Sequence, residues 1–329
     1  MKPWHIVGHV WAVQQLQTAV EHDEVPHALL ISGPDNVGKM TLARLVAGAL
    51  LCKGQADTRP CGACLACRKL ASGNHPDFMP VEPEEEGGAL KIDQIRAVER
   101  FLSLTPNESA RKIALIGAFE RATIGAANAL LKTLEEPPAY AHLILLARDA
   151  DVLLPTIVSR SQQIVLRPVA PATVEQALRE QWDIPTEQAA HLARISGGRM
   201  GWAIRAATDA AYHQRMEAAL ALLLDLLRQD LPARFDTAQA LTRDADVNVD
   251  ETLEYWLTGW RDVLLIQTGN AERAIHRQHH AALNQIAQHV PLPTTINTLK
   301  ALEGCQEALQ RNANAQLALE NLLLNLPGS

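Results

Sequence analysis

Four cysteines pose the first chemical question. Cys52, Cys61, Cys64 and Cys67 are spaced C-x8-C-x2-C-x2-C, and two C-x2-C steps sharing a central residue suit a closed tetrahedral S₄ zinc site. A closed site leaves no position for water, so its role is structural. Redox chemistry or a disulfide pair is the competing reading, which a reducing cytoplasm disfavours. The loop 53–60 is polar and has little to bury, so a metal would hold it where apolar packing cannot. Cys305 lies apart in a helical stretch and reads as a small buried apolar residue.

Upstream, Gly33-Pro-Asp-Asn-Val-Gly-Lys39 has the form of a phosphate loop, with glycines and backbone N–H groups that cradle an anion at a helix N-terminus. Gly33, Gly38 and Lys39 fit that chemistry, Lys39 by neutralising outer phosphates. The next residue should carry a hydroxyl to ligate Mg²⁺, yet it is Met40. Thr41 comes one place late, about 100° further round the helix. Two readings stay open: weak, metal-poor nucleotide binding, and a loop present for its shape. Hydrolysis faces a further obstacle. The apolar run Lys112–Ile116 reads as a buried strand, which in a nucleotide-hydrolysing α/β domain should end in a metal-binding Asp. Gly117 and Ala118 follow it instead, and neither binds a cation nor orients a water.

The elements that must position these groups alternate along the first half of the chain. Strands are expected at Ala28–Ser32, Phe78–Glu82, Lys112–Ile116, His142–Ala147 and Gln163–Leu166, with helices between them, the pattern of a parallel sheet covered on both faces. Arg167-Pro-Val-Ala-Pro171 punctuates the chain. Three short helices follow from Thr173 to about Ala207, with Thr186 as an N-cap and Gly197-Gly198 as a helix end. From Asp209 onward the pattern is helical, ending in one long run from Thr294 to Leu326, and Trp256 and Trp260 sit four apart as helix-packing residues. The acidic stretch 82–86 is most simply a solvated loop.

With 329 residues, 47% hydrophobic and 20% charged, the chain is of ordinary globular composition and long enough for two or three domains. No apolar run is long enough for a membrane span, and the N-terminus is too polar for a secretory signal, so the cytoplasm is the expected location. A net charge of −7 argues against a protein that grips nucleic acid alone. DNA contact, where it occurs, is expected to be shared with partners.

Asn128-Ala-Leu-Leu-Lys-Thr-Leu-Glu-Glu-Pro-Pro138 resembles the helix after the third strand in subunits of the bacterial DNA polymerase III clamp loader, an AAA+ family, and the likeness extends over essentially the whole chain. In the same way, Ser159-Arg-Ser161 resembles that family's Ser-Arg-Cys motif, whose arginine reaches into the ATP site of the neighbouring subunit. The resemblance implies that Arg160 is an arginine finger acting in trans, worth roughly 10³ to 10⁵ in rate at that neighbour's site. A surface ion pair is the bland alternative. It further implies an AAA+ α/β module of P-loop type over 1–166 with a zinc-bearing insertion at 52–67, a helical lid over 167–207, and an all-helical collar over 208–329. Members of the family that hydrolyse ATP carry Asp and Glu at the two positions held here by Gly117 and Ala118. Implied partners are the tau/gamma and delta subunits, with the sliding clamp and primed DNA reached through the assembled complex. Within that lid, Arg199 stands one place before Met200, where a γ-phosphate sensor is expected, and Asn128 and Lys132 are implied to face DNA or to couple it to the neighbouring site. A working ATPase of the tau/gamma type is the first alternative. A zinc-stabilised nucleic-acid-binding protein outside any replication complex is the second, opposed by the acidity and the lack of aromatic-basic clusters.

Overall fold

The computed structural model describes residues 4–84, 88–244, 247–276, 279–310 and 313–328. Residues 85 and 86 of the acidic loop lie outside that set. The chain divides into two compact units, Met1–Ile204 and Arg205–Ser329.

In the first unit β1 (Ala28–Ser32), β2 (Phe78–Val81), β3 (Lys112–Ile116), β4 (Ala141–Ala147) and β5 (Gln162–Val165) form an all-parallel sheet in the order β2-β3-β4-β1-β5. The helices of this half are α1 (Val10–Glu21), α2 (Lys39–Leu51), α3 (Leu65–Ala71), α4 (Ile92–Ser103), α5 (Ile124–Glu135), α6 (Pro155–Val158), α7 (Pro171–Trp182) and α8 (Thr186–Ile195), and α9 (Met200–Thr208) runs across the boundary between the units. All five expected strands are present. Their ends shift by a residue where pairing, not side-chain type, decides: β5 begins at Gln162 because that residue stands opposite Leu29 in the ladder. At α8 the N-cap is Pro185 and Thr186 is the first helical residue, a correction to the expected cap. Proline's fixed φ already prepares the chain for the helix entry, and its side chain supplies no capping bond.

Successive strand residues serve opposite faces of the sheet. Leu29, Ile31, Ile113, Leu115, Ile144 and Leu146 share a core with Leu16 of α1 and Leu42 and Val46 of α2. Leu30, Ala114, Ile116, Leu143 and Leu145 share another with Ile95 and Val98 of α4 and Leu130 and Leu134 of α5. Double coverage is why these strands read as continuous apolar runs.

The described part of the second unit is helical, with α10 (Ala210–Leu226), α11 (Leu231–Arg243), α12 (Val249–Gln267), α13 (His280–His289), α14 (Leu292–Gln310) and α15 (Ala315–Leu324). The expected single run from Thr294 to Leu326 is therefore two helices. The polar stretch near Asn314 interrupts it, and Asn314 caps α15 by accepting from Leu317 N at 3.0 Å. Trp256, Trp260 and Cys305 are buried in one core, and Trp256 Nε1 donates to Ala219 O at 2.8 Å. Burial pushes the Cys305 thiol up to about 11. Arg234 is buried too, with Nε on Leu226 O, Nη1 on Leu323 O and Leu326 O, and Nη2 on Pro327 O, at 2.8 to 3.1 Å. One guanidinium thus bonds carbonyls at and just beyond the end of α15 and adds a second donor to Leu226 O, which also accepts from Gln229 N at 3.2 Å.

Candidate functional site

The four cysteine sulfurs converge, all lying within 4.8 Å of one another. Two helix ends bring them there: Cys52 follows the last residue of α2, and Cys64 is the N-cap of α3. Backbone N–H groups point at the sulfurs, from Gly54 and Cys61 to Cys52 Sγ at 3.3 and 3.4 Å and from Cys64 to Cys61 Sγ at 3.4 Å. Such donors stabilise thiolates. At Cys64 burial works in the other direction, but N–H donation from Cys67 and Lys53 brings the thiol down to about 6. N–H donation from Cys64 and Ala63 lowers Cys61, whereas burial raises Cys52 and Cys67. Four converging sulfurs with N–H support are a donor set for one soft, tetrahedral divalent ion. The loop before them is anchored from outside, since Trp4 Nε1 donates to Arg59 O at 2.6 Å and Arg59 Nε to Gly54 O at 2.9 Å.

The phosphate loop joins β1 to α2. Gly33 and Gly38 both have positive φ, 144° and 116°, and a Cβ at Gly33 would lie 2.2 Å from Leu166 O, so only glycine fits there. Lys39 does not face an open cradle. Its Nζ donates to Gly33 O, to Pro34 O at 3.0 Å and to Asp35 Oδ1 at 3.3 Å. Asp35 Oδ2 lies 2.6 Å from Arg148 Nε, and Arg148 N donates to Glu120 Oε2 at 3.3 Å. Burial lowers the Lys39 pKa, and Asp35 opposes the shift. Thr41 is exposed and lines a cavity of about 1010 Å³ shared with Met40, Arg44, Pro60 and Cys61, on the side of the cysteine cluster. The loop is also tied from two sides: His9 Nε2 is 3.2 Å from Val37 O, and Gly201 N donates to Asn36 O at 2.8 Å.

At the end of β3, Gly117 N donates to Val81 O at 2.8 Å. A Cβ on Gly117 would meet Glu82 Cγ at 3.0 Å and Oε1 at 3.3 Å. Ala118 adopts φ 47°, a left-handed conformation, before a short 3₁₀ turn at Phe119–Arg121. On α5, Asn128, Lys132 and Glu135 are exposed while Leu130 and Leu134 are buried. Arg160 follows α6 and is half-exposed. Its Nη2 lies 2.7 Å from Glu135 Oε1 and its Nη1 donates to Thr156 O at 3.1 Å. Arg199 turns back on its own segment, with Nε on Ser196 O at 2.8 Å and the guanidinium over the Trp202 ring, while Met200 is buried.

The structure thus brings the cysteines to one point, Gly33, Gly38 and Lys39 to a second, and Arg160 to the exposed face beside α5. Asp35, Glu120, Arg148 and Glu135 were not singled out by sequence. Only Asp35 carried a signal, an acid inside the loop four residues before Lys39.

The sequence family described as "DNA polymerase III, delta subunit" matches residues 8–170, and "DNA polymerase III, delta subunit, C terminal" matches residues 213–327. DNA polymerase III subunit delta′ of Bacillus subtilis is 30% identical over 315 residues, covering 94% of each chain. The delta′ subunit of Pseudomonas aeruginosa is 40% identical over 60% of this chain and 58% of its own. DNA polymerase III subunit tau of B. subtilis is 33% identical over 48% of this chain and 28% of its own.

Proposed function

The chain belongs to the DNA polymerase III delta′ subunit family, and from that membership we propose that it is a non-hydrolysing clamp loader subunit that lends Arg160 to a neighbour's ATP site. One contrast carries the reading. Gly117 and Ala118 stand where hydrolysis needs carboxylates, while Arg160 is half-exposed beside α5, within reach of Glu135. A subunit so equipped contributes positive charge to phosphoryl transfer next door without a turnover of its own. Residues 1–166 act as the AAA+ module, 167–207 as its lid and 208–329 as the collar that joins it to tau/gamma and delta. Through that complex it reaches the sliding clamp and primed DNA. Cys52, Cys61, Cys64 and Cys67 hold a structural zinc that shapes the insertion after α2, and its closed sulfur set gives the metal no part in chemistry.

The purified chain is expected to show no ATP hydrolysis above background and to co-purify with tau/gamma and delta. Steady turnover lost on Lys39→Ala would instead establish a working motor. Adding carboxylates back is not expected to create an ATPase, because Met40 still lacks a hydroxyl and an Asp at 117 crowds Glu82.

A further inference from the structure

The phosphate loop already contains an anion. Asp35 presents one carboxylate oxygen to Lys39 at 3.3 Å and the other to Arg148 at 2.6 Å. A phosphate group in such a loop would meet the same kind of partners, a lysine ammonium and an arginine guanidinium reached from the far side. We infer that Asp35 is a specificity-determining residue that fills the anion position of this loop and excludes the polyphosphate of a nucleoside triphosphate.

An exposed ion pair between residues four apart would ordinarily be discounted. This one differs in its burial: the Lys39 side chain is only 11% exposed, with its remaining bonds spent on the carbonyls of Gly33 and Pro34. Among the described residues, the carboxylate hydrogen-bonded to Lys39 is Asp35, within the loop itself. Charge balance points the same way. Lys39 and Arg148 are matched by Asp35 and by Glu120, whose carboxylate also bonds Arg148 N, so the mouth of the loop is neutral. An incoming polyphosphate must displace Asp35 from both cations and then sit beside it, like charge against like charge. The loop cannot simply yield, because His9 holds Val37 O and Gly201 holds Asn36 O.

The inference concerns binding and rests on the loop not turning nucleotide over, so its failure leaves the role of Arg160 untouched. The test is calorimetric titration of the full chain with ATP, no divalent cation added, comparing wild type, Asp35→Asn, Asp35→Ala and Asp35→Ala/Lys39→Ala. The Asp35 side chain is 44% exposed, so its replacement should leave the fold intact, which thermal unfolding checks. Both single variants are expected to bind ATP at least tenfold more tightly than wild type, and the double variant to lose that gain. Single variants that fold normally and bind no more tightly overturn the proposal. So does a gain that survives the loss of Lys39, because the nucleotide would then be bound elsewhere.

Discussion

Arg160 and Glu135 form an ion pair across two elements, 2.7 Å from Nη2 to Oε1, between the segment after α6 and the C-terminal residue of α5. Both side chains remain partly exposed, at 36% and 51%. Such a pair stabilises a fold by about 0–1 kcal/mol at most, so it weighs little in stability and much in orientation. Arg160→Ala should change unfolding free energy by no more than about 0.5 kcal/mol while slowing DNA-stimulated ATP hydrolysis by the reconstituted clamp loader. Lys at this position should rescue poorly, lacking the planar fork that matches phosphate oxygens. An Ala variant that assembles and loads clamps at the wild-type rate would reduce Arg160 to a surface charge.

Elemental analysis of protein purified without chelators should find one zinc per chain, held by Cys52, Cys61, Cys64 and Cys67. Cys64→Ser should speed amide exchange in residues 52–67 and in α3 before any change appears in the second unit. Metal-free protein with native exchange rates in that segment would rule out the structural zinc.

Replacing Arg234 should be among the most damaging single changes in the second unit. Its four carbonyl partners lie at the end of α10 and at and just beyond the end of α15. Leu226 O keeps its bond from Gln229 N, but Arg234→Met removes the guanidinium donor from Leu323 O, Leu326 O and Pro327 O, at a cost of about 2–4 kcal/mol. Urea denaturation of the full chain measures it; a loss below about 0.5 kcal/mol would mean that water substitutes for the guanidinium.

Burial holds His9, His75 and His142 below the ordinary imidazole range. The unfolded chain takes up protons at these positions near pH 6.5, about where free histidine titrates, while the folded chain does so only at lower pH. Their contribution is complete above that value and falls as pH drops through it toward the folded pKa values. The urea midpoint should therefore decline between about pH 7 and about pH 5.5. His142→Asn, which keeps a donor for Pro26 O but does not titrate, should flatten the slope; an unchanged slope would exonerate His142.

The sheet was legible because doubly covered strands must be apolar throughout, and the cysteines because thiolate spacing is local. The closed state of the phosphate loop was not. Its two clamping contacts involve Asp35 with Arg148, more than a hundred positions on, and Arg148 with Glu120, and nothing in the local pattern around any one of them announces the others. Sequence assigned Lys39 to outer phosphates from its motif position, whereas the folded side chain takes its bonds from the loop itself. Arg160 posed the same difficulty, since its partner Glu135 lay inside a motif read for its helix and not for its charge.

The alternation along β3 makes neighbouring residues answerable to different parts of the molecule. Ile113 and Leu115 belong to the side shared with α1 and α2, where the phosphate loop begins, while Ala114 and Ile116 belong to the side shared with α4 and α5, which carries Glu135. Truncating Leu115 should slacken the loop's footing, and enlarging Ala114 should tilt the helix beneath Arg160's partner. Two adjacent codons thereby offer genetically separable access to opposite surfaces of the same subunit.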